Sequence, residues 1–100
     1  ITIDKALLEL TGMEKNERVL VVNNTSGSRL ETYIIEGEAN SGSIEMNGAA
    51  AHLIHPGDEV IIMAFSLSEK AFEPTTILVD GENKFVRYLN ERSSAIVDDC

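Results

Sequence analysis

The sequence predicts a small, mostly β domain with short helices, and three observations carry that reading. Runs rich in β-branched residues, chiefly Arg18 to Val22, Arg29 to Ile35 and Glu59 to Phe65, lie between clusters of Asn, Gly, Ser and Pro. The helical stretches, Lys5 to Leu10 and Ala49 to Leu53, are brief. Two segments also echo each other: Asn16-Glu17-Arg18-Val19-Leu20-Val21-Val22 and Gly57-Asp58-Glu59-Val60-Ile61-Ile62-Met63 each follow a short helix with a turn, an acidic residue and an apolar strand. A weak duplication of this kind suits a small closed barrel with pseudo-twofold symmetry, because closure removes exposed sheet edges.

In chain order, Ile1 to Ile3 is a short extended lead and Asp4 is an N-cap accepting hydrogen bonds from the first turn of a helix over Lys5 to Leu10. Leu7, Leu8 and Leu10 form its buried stripe, and Gly12 supplies the left-handed position that ends it. Met13 to Asn16 connects to a buried strand over Arg18 to Val22. Asn23-Asn24-Thr25-Ser26-Gly27 is turn chemistry, and Arg29 to Ile35 returns as the partner of a hairpin. Gly37 to Gly42 is a polar loop, Ser43 to Met46 alternates as a half-buried strand, and Asn47-Gly48 breaks it. Ala49 to Leu53 favours a short helix by propensity. His55-Pro56-Gly57-Asp58 turns into a second strongly apolar strand, Glu59 to Phe65. Thr76 to Val79 and Phe85 to Tyr88 flank Asp80-Gly81-Glu82-Asn83 as a final hairpin. One domain is expected over residues 1–88, followed by a mobile tail over 89–100.

A chain of 100 residues buries a core but not generously, so association with copies of itself is a natural source of further stability. The net charge of −9, with eight Lys and Arg against 17 acids and no basic cluster, speaks against nucleic-acid binding. No apolar run approaches membrane-spanning length. An anionic ligand would need a local cation, which Arg29 supplies. The single Cys100 cannot pair within the chain and is compatible with a reducing cytoplasm. The chain opens on Ile1 rather than Met and carries no signal-peptide pattern, which points to a fragment or a processed product.

Arg29-Leu30-Glu31-Thr32-Tyr33 brings a guanidinium, a hydroxyl and a phenol into one strand. Alternation places Arg29, Glu31 and Tyr33 on one face and Leu30 and Thr32 on the other. A bulge or strand end must intervene if all the polar groups are to serve one site. Taken alone the pentapeptide reads more readily as an ordinary amphipathic strand, with Arg29 solvated and Tyr33 packing its ring. Gly48-Ala49-Ala50-Ala51 is either a tightly packed bend or a place where small side chains let backbone amides approach a ligand. His52 and His55 lack the companions of a metal site, and helix capping or turn packing accounts for them better. No nucleophile elbow frames a serine, no glycine loop cradles phosphate, and Lys5, Lys15, Lys70 and Lys84 sit in polar contexts unsuited to a Schiff-base lysine.

In combination, Arg29-x-x-Thr32-Tyr33, Asn47-Gly48-Ala49-Ala50-Ala51-His52 and Gly57-Asp58 ahead of an apolar strand resemble the pyruvoyl-dependent aspartate 1-decarboxylase family. The opening Ile3-Asp4 before a helix closing at Gly12 is similar as well, so the resemblance runs from Ile1 to about Tyr88. It implies a double-psi β-barrel assembled as a homotetramer with active sites between subunits. It also implies that the chain is the larger, α chain of a proprotein that cleaves itself between a glycine and a serine. The separate β chain would be its partner, and the serine, converted to a pyruvoyl group, would stand immediately before Ile1. Decarboxylating an α-amino acid leaves a carbanion that no standard side chain delocalises, so a carbonyl electron sink is chemically required. In the implied reaction the substrate amine forms a Schiff base with the pyruvoyl ketone, CO2 leaves and a proton is returned.

By the same resemblance Tyr33 is the proton donor and Arg29 pairs with a substrate carboxylate. Thr32 contacts substrate and assists self-cleavage by hydrogen-bonding the reacting carbonyl. Asn47 and the backbone of Gly48, Ala49 and Ala50 complete the pocket, and no metal is expected. The substrate would be L-aspartate and the product β-alanine, a cytoplasmic precursor of pantothenate and coenzyme A. Two other readings stand beside this one: a non-enzymatic barrel that binds a protein or small acid, and a pyruvoyl decarboxylase acting on another amino acid such as histidine or arginine.

Overall fold

The computed structural model describes residues 1–89. β1 (Thr2–Asp4) opens the chain and runs directly into α1 (Lys5–Thr11). Asp4 Oδ1 accepts from the Ala6 amide at 2.8 Å, and Gly12, at φ 80°, ends the helix with its N–H on the Leu8 carbonyl. Leu7 and Leu8 are buried, whereas Leu10, expected in the same stripe, is half-buried at the margin of the core. So short a helix is marginal in water by itself, and the burial of its leucines holds it in place.

β2 (Arg18–Asn23) and β3 (Arg29–Tyr33) form the expected hairpin, antiparallel in unbroken register from Arg18↔Tyr33 to Val22↔Arg29. The run predicted as one strand from Arg29 to Ile35 divides at the buried Ile34, because β2 offers no partner beyond Arg18 and the backbone must find others. Ile34 exchanges bonds with the connector, its carbonyl accepting from Asn16 N and its N–H donating to the Glu17 carbonyl. β4 (Ile35–Gly37) then pairs parallel with β1. β5 (Ile44–Glu45), shorter than the Ser43 to Met46 strand expected, pairs with the other side of β1. β1 is therefore the central strand of its sheet. The helix predicted over Ala49 to Leu53 is a 3-10 turn over Gly48–His52.

β6 (Val60–Met63) lies antiparallel to β2 and completes a second sheet ordered β3-β2-β6. Strongly apolar as the sequence reads, it is among the described residues an edge with no buried residue and with Ile61 45% exposed. β7 (Thr76–Val79) and β8 (Phe85–Leu89) form the last hairpin, with a bulge between Leu78 and Val79. The architecture is mostly strand with one short α-helix. Ile1, Ile3, Leu7, Leu8, Val19, Val21 and Ile34 make the shared core. The predicted tail lies, from residue 90 onward, outside the described residues.

The two segments that echo in sequence pair in space. Val21 faces Ile62 between Leu20↔Met63 and Val22↔Ile61, so a local twofold through the Val21–Ile62 pair exchanges the strands. The preceding turns match too. Asn16 (φ 69°) and Gly57 (φ 91°) are both left-handed, and Glu17 Oε1 and Asp58 Oδ2 each accept the amide three residues back, from Glu14 and His55, at 2.9 Å.

Two buried polar side chains tie these parts together. Asp4, 1% exposed, accepts from the amides of Ala6, Asn40 and Gly42 at 2.8 to 2.9 Å. Gly42 is held from its other side, where Asn83 Nδ2 donates to its carbonyl at 3.0 Å. A Cβ there would lie 2.6 Å from the Glu82 carbonyl oxygen, so the loop and the last hairpin meet backbone to backbone. Asn23, wholly buried, donates to Asp58 Oδ2 at 2.8 Å and the Leu53 carbonyl at 3.2 Å. Its Oδ1 accepts from Thr25 N and Ser26 N, so both ends of the amide are satisfied.

Burial pushes the Asp4 carboxyl up, but the amides of Gly42, Ala6 and Asn40, with the Lys84 charge, outweigh it and hold the group below its ordinary value. Asp58 is lowered by the His55 amide and Asn23, and Asp80 by the amides of Lys84 and Glu82. A carboxyl depressed on folding contributes stability above its unfolded pKa, about 4, and loses that contribution as pH falls through the folded value. Stability to urea is therefore expected to be level from neutral pH to about pH 5 and to decline below about pH 4. Asp4→Asn should cost about 2 kcal/mol at neutral pH, since its NH2 group would face amide donors, and should flatten part of that acid decline. Equal acid sensitivity in the variant and the parent would show that Asp4 is not a principal source.

Candidate active site

Along β3 exposure alternates, with Arg29, Glu31 and Tyr33 outward and Leu30 and Thr32 half-buried, as the strand period dictates. No bulge interrupts the β2–β3 register. Within one chain, then, Thr32 faces away from Arg29 and Tyr33. Arg29 lies about 13 Å along the strand from Tyr33, a span that two long side chains on one face can close over a small ligand. The intervening Glu31 pairs with Arg18 across the hairpin. That exposed pair adds little stability, but it occupies the carboxylate that would otherwise compete for Arg29. Among the described residues Arg29 has no ion-pair partner.

The head of the chain lies against the other end of β3. The Ile1 nitrogen donates to the Tyr33 carbonyl at 2.9 Å, and the Ile1 carbonyl accepts from Ile35 N at 2.8 Å. Ile1 is 3% exposed, and burial holds its amino group below the usual α-amine range. The next residue reaches a further candidate, Thr2 Oγ1 accepting from Asn47 Nδ2 at 2.9 Å. Asn47 stands at the N-cap of the 3-10 turn in extended geometry (φ −113°, ψ 147°), yet its side chain makes no capping bond. Gly48 follows at φ 63°, the left-handed bend that starts the turn, and Ala49 and Ala50 continue it.

The structure thus sets the Tyr33 carbonyl against Ile1 and the Asn47 side chain against Thr2, and leaves Arg29 at the far end of β3. One surface depression is lined by Lys5, Lys15, Asn16, Ile34, Glu36 and Gly37 among others, and none of Arg29, Thr32, Tyr33 or Asn47 lines it. Among the described residues no group of three His, Cys, Asp or Glu is placed to hold a metal ion. Sequence reasoning reached the Ile1 nitrogen only by resemblance, as the point to which a pyruvoyl group would be joined, and passed over the Thr2 hydroxyl. The first carries no side-chain signal at all. The second is a threonine in a short lead, visible only once β1 is known to lie between β4 and β5.

Comparison with known proteins identifies the family. The aspartate decarboxylase family model matches residues 1–86. The chain is similar to aspartate 1-decarboxylase of Chlorobium chlorochromatii (strain CaD3), 53% identical over 87 residues that cover 83% of this chain and 67% of that protein. It is 48% identical over 101 residues to aspartate 1-decarboxylase of Bacillus pumilus (strain SAFR-032), covering 97% and 80% of the two. The corresponding protein of Prosthecochloris aestuarii (strain DSM 271 / SK 413) is 54% identical over 87 residues, with coverage of 83% and 67%. The chain spans from about two thirds to four fifths of these relatives' lengths.

Gly48→Ala isolates the backbone bend, because a Cβ there meets nothing within 4 Å and only the positive φ opposes it. It should lower unfolding stability by about 1 kcal/mol. A midpoint in urea equal to the parent's would mean that the turn relaxes without strain.

Proposed function

Because the chain belongs to the aspartate decarboxylase family, we infer that it decarboxylates L-aspartate to β-alanine and CO2, the step that feeds pantothenate biosynthesis. The observation that carries the site assignment is the hydrogen bond from the Ile1 nitrogen to the Tyr33 carbonyl. Any group joined to that nitrogen is delivered beside the strand that bears Thr32 and Tyr33 and beside Asn47.

A pyruvoyl group on the Ile1 nitrogen is the proposed cofactor, formed from a serine ahead of Ile1 when a proenzyme cleaves itself. The residues fit it. The nitrogen is shielded and already hydrogen-bonded as an amide N–H would be, and burial disfavours a charged amine there. When bound, the group supplies the carbonyl electron sink that the chemistry requires. The chain's own side chains do the rest. Arg29, exposed and without an ion-pair partner among the described residues, holds a substrate carboxylate. Asn47 and the amides of Gly48, Ala49 and Ala50 orient the substrate, and the Tyr33 hydroxyl returns the proton to carbon after CO2 departs. Thr32, on the opposite face of β3, hydrogen-bonds the carbonyl that reacts during self-cleavage.

Association supports the same reading. Phe65, Leu67 and Phe72 are 58% to 105% exposed, and Ile61 lies bare on the β6 edge. Apolar surface of this kind is expected to be covered by the β chain and by neighbouring protomers of a homotetramer, with active sites between subunits. Among the described residues no helix is long and apolar enough to cross a membrane. The cytoplasm is the proposed compartment.

The intact mass of the purified chain tests the cofactor. A pyruvoyl head is expected, with no free α-amine, and an ordinary amino group on the active chain would overturn the assignment. CO2 release across a panel of amino acids tests the substrate, with aspartate expected to be turned over fastest; equal turnover of histidine or arginine would exclude the stated specificity. Tyr33→Phe should slow turnover by about 10² to 10⁴-fold while leaving self-cleavage intact. Thr32→Ala should leave uncleaved precursor on a gel, and complete maturation of that variant would refute its role.

A further inference from the structure

Thr2 occupies the middle strand of its sheet, opposite Ile35 on one side and Glu45 on the other, and its backbone has no freedom to shift. Its side chain is equally confined. A Cβ on Gly37 would lie 3.1 Å from Thr2 Cγ2, so the threonine methyl rests directly against the glycine of the neighbouring strand. A β-branched side chain with its methyl fixed has its hydroxyl direction fixed as well. Here that direction leads to Asn47 Nδ2, at 2.9 Å.

Asn47 behaves unusually for an asparagine at the start of a helical turn. The common arrangement points Oδ1 at the turn's first free amides. In this chain the side chain makes no such bond and instead gives its NH2 to Thr2, which turns Oδ1 away from the turn it would otherwise cap. The amide is thus tethered by a hydroxyl only one residue beyond Ile1.

We propose that Thr2 is a positioning residue for decarboxylation: its hydroxyl, aimed by the packing of its methyl on Gly37, holds the Asn47 side chain in place beside the head of the chain, where it meets the reacting substrate. The proposal rests on the Asn47 role inferred above and extends it by one residue. Gly37 belongs to the same device, since a Cβ there would press on the Thr2 methyl at 3.1 Å.

The test uses full-length proenzyme, matured where it cleaves, with Thr2→Val, Thr2→Ser and Asn47→Ala singly and Thr2→Val with Asn47→Ala together. Val keeps the methyl packing and removes the acceptor, whereas Ser keeps the acceptor. Thr2→Val should lower kcat/KM by about tenfold or more, the scale of misplacing a substrate-orienting group. Thr2→Ser should recover most of the loss. Added to Asn47→Ala, Thr2→Val should change kcat/KM no further than about twofold, because a residue acting through Asn47 has nothing left to position. The Asn47 side-chain NH2 resonances, assigned by their loss in Asn47→Ala, should shift and exchange faster with water in Thr2→Val; if that variant stays uncleaved, they are read on the precursor. Losses that multiply in the double variant, or Asn47 resonances identical in parent and Thr2→Val, would overturn the proposal. A parent that matures but releases no CO2 from aspartate would instead defeat the inferred activity, leaving the Thr2–Asn47 coupling to be judged by the resonances.

Discussion

A strand of three residues has too few ladder bonds to hold itself, yet β1 is the strand on which both the core and the chain head depend. What fixes it is the buried carboxylate of Asp4 at its end. The amides of Ala6, Asn40 and Gly42 converge on that one group, so the start of α1 and the loop between β4 and β5 are drawn to the same point. Charge-assisted bonds of this sort offset the cost of removing a carboxylate from water. With its far end secured, β1 can run between β4 and β5 and deliver Ile1 and Thr2 to the end of β3.

That constraint explains why the site is assembled from pieces distant in sequence. Tyr33 is reached through the Ile1 nitrogen and Asn47 through the Thr2 hydroxyl, over separations of 32 and 45 residues. Neither contact is strong by itself. Both are permitted because the β1 backbone has nowhere else to go, and preorganisation of this kind is worth more to a reaction than any single added bond.

Local features were legible in the sequence wherever one residue dictates one geometry. Asp4 and Gly12 bracket α1 as their chemistry requires, and the Arg18 and Arg29 runs form the expected hairpin. Features decided by the supply of partners were not. Ile34 breaks a continuous β pattern because β2 has ended, and the apolar run over Val60–Met63 reads as a buried strand when, among the described residues, it is a sheet edge. Ala49 to Leu53 carries helix propensity, but a left-handed Gly48 and a following Pro56 leave room only for a 3-10 turn. The candidate side chains themselves were visible as residue types at a spacing. The hydroxyl of Thr2 was not, because its bond to Asn47 depends wholly on where β1 is placed.

The pairing of β2 with β6 carries a consequence of its own. Two separate copies of a half-length chain would close the same ladder across a dyad, each copy's central residue meeting its twin where Val21 now meets Ile62. Joined end to end, the halves need no longer be alike. Glu17 remains a solvent-side brace for its turn, while its counterpart Asp58 has been captured by the buried Asn23. Fusion thus lets matching positions diverge, one bracing a turn and the other anchoring a buried amide, a freedom that a symmetric pair of identical chains lacks.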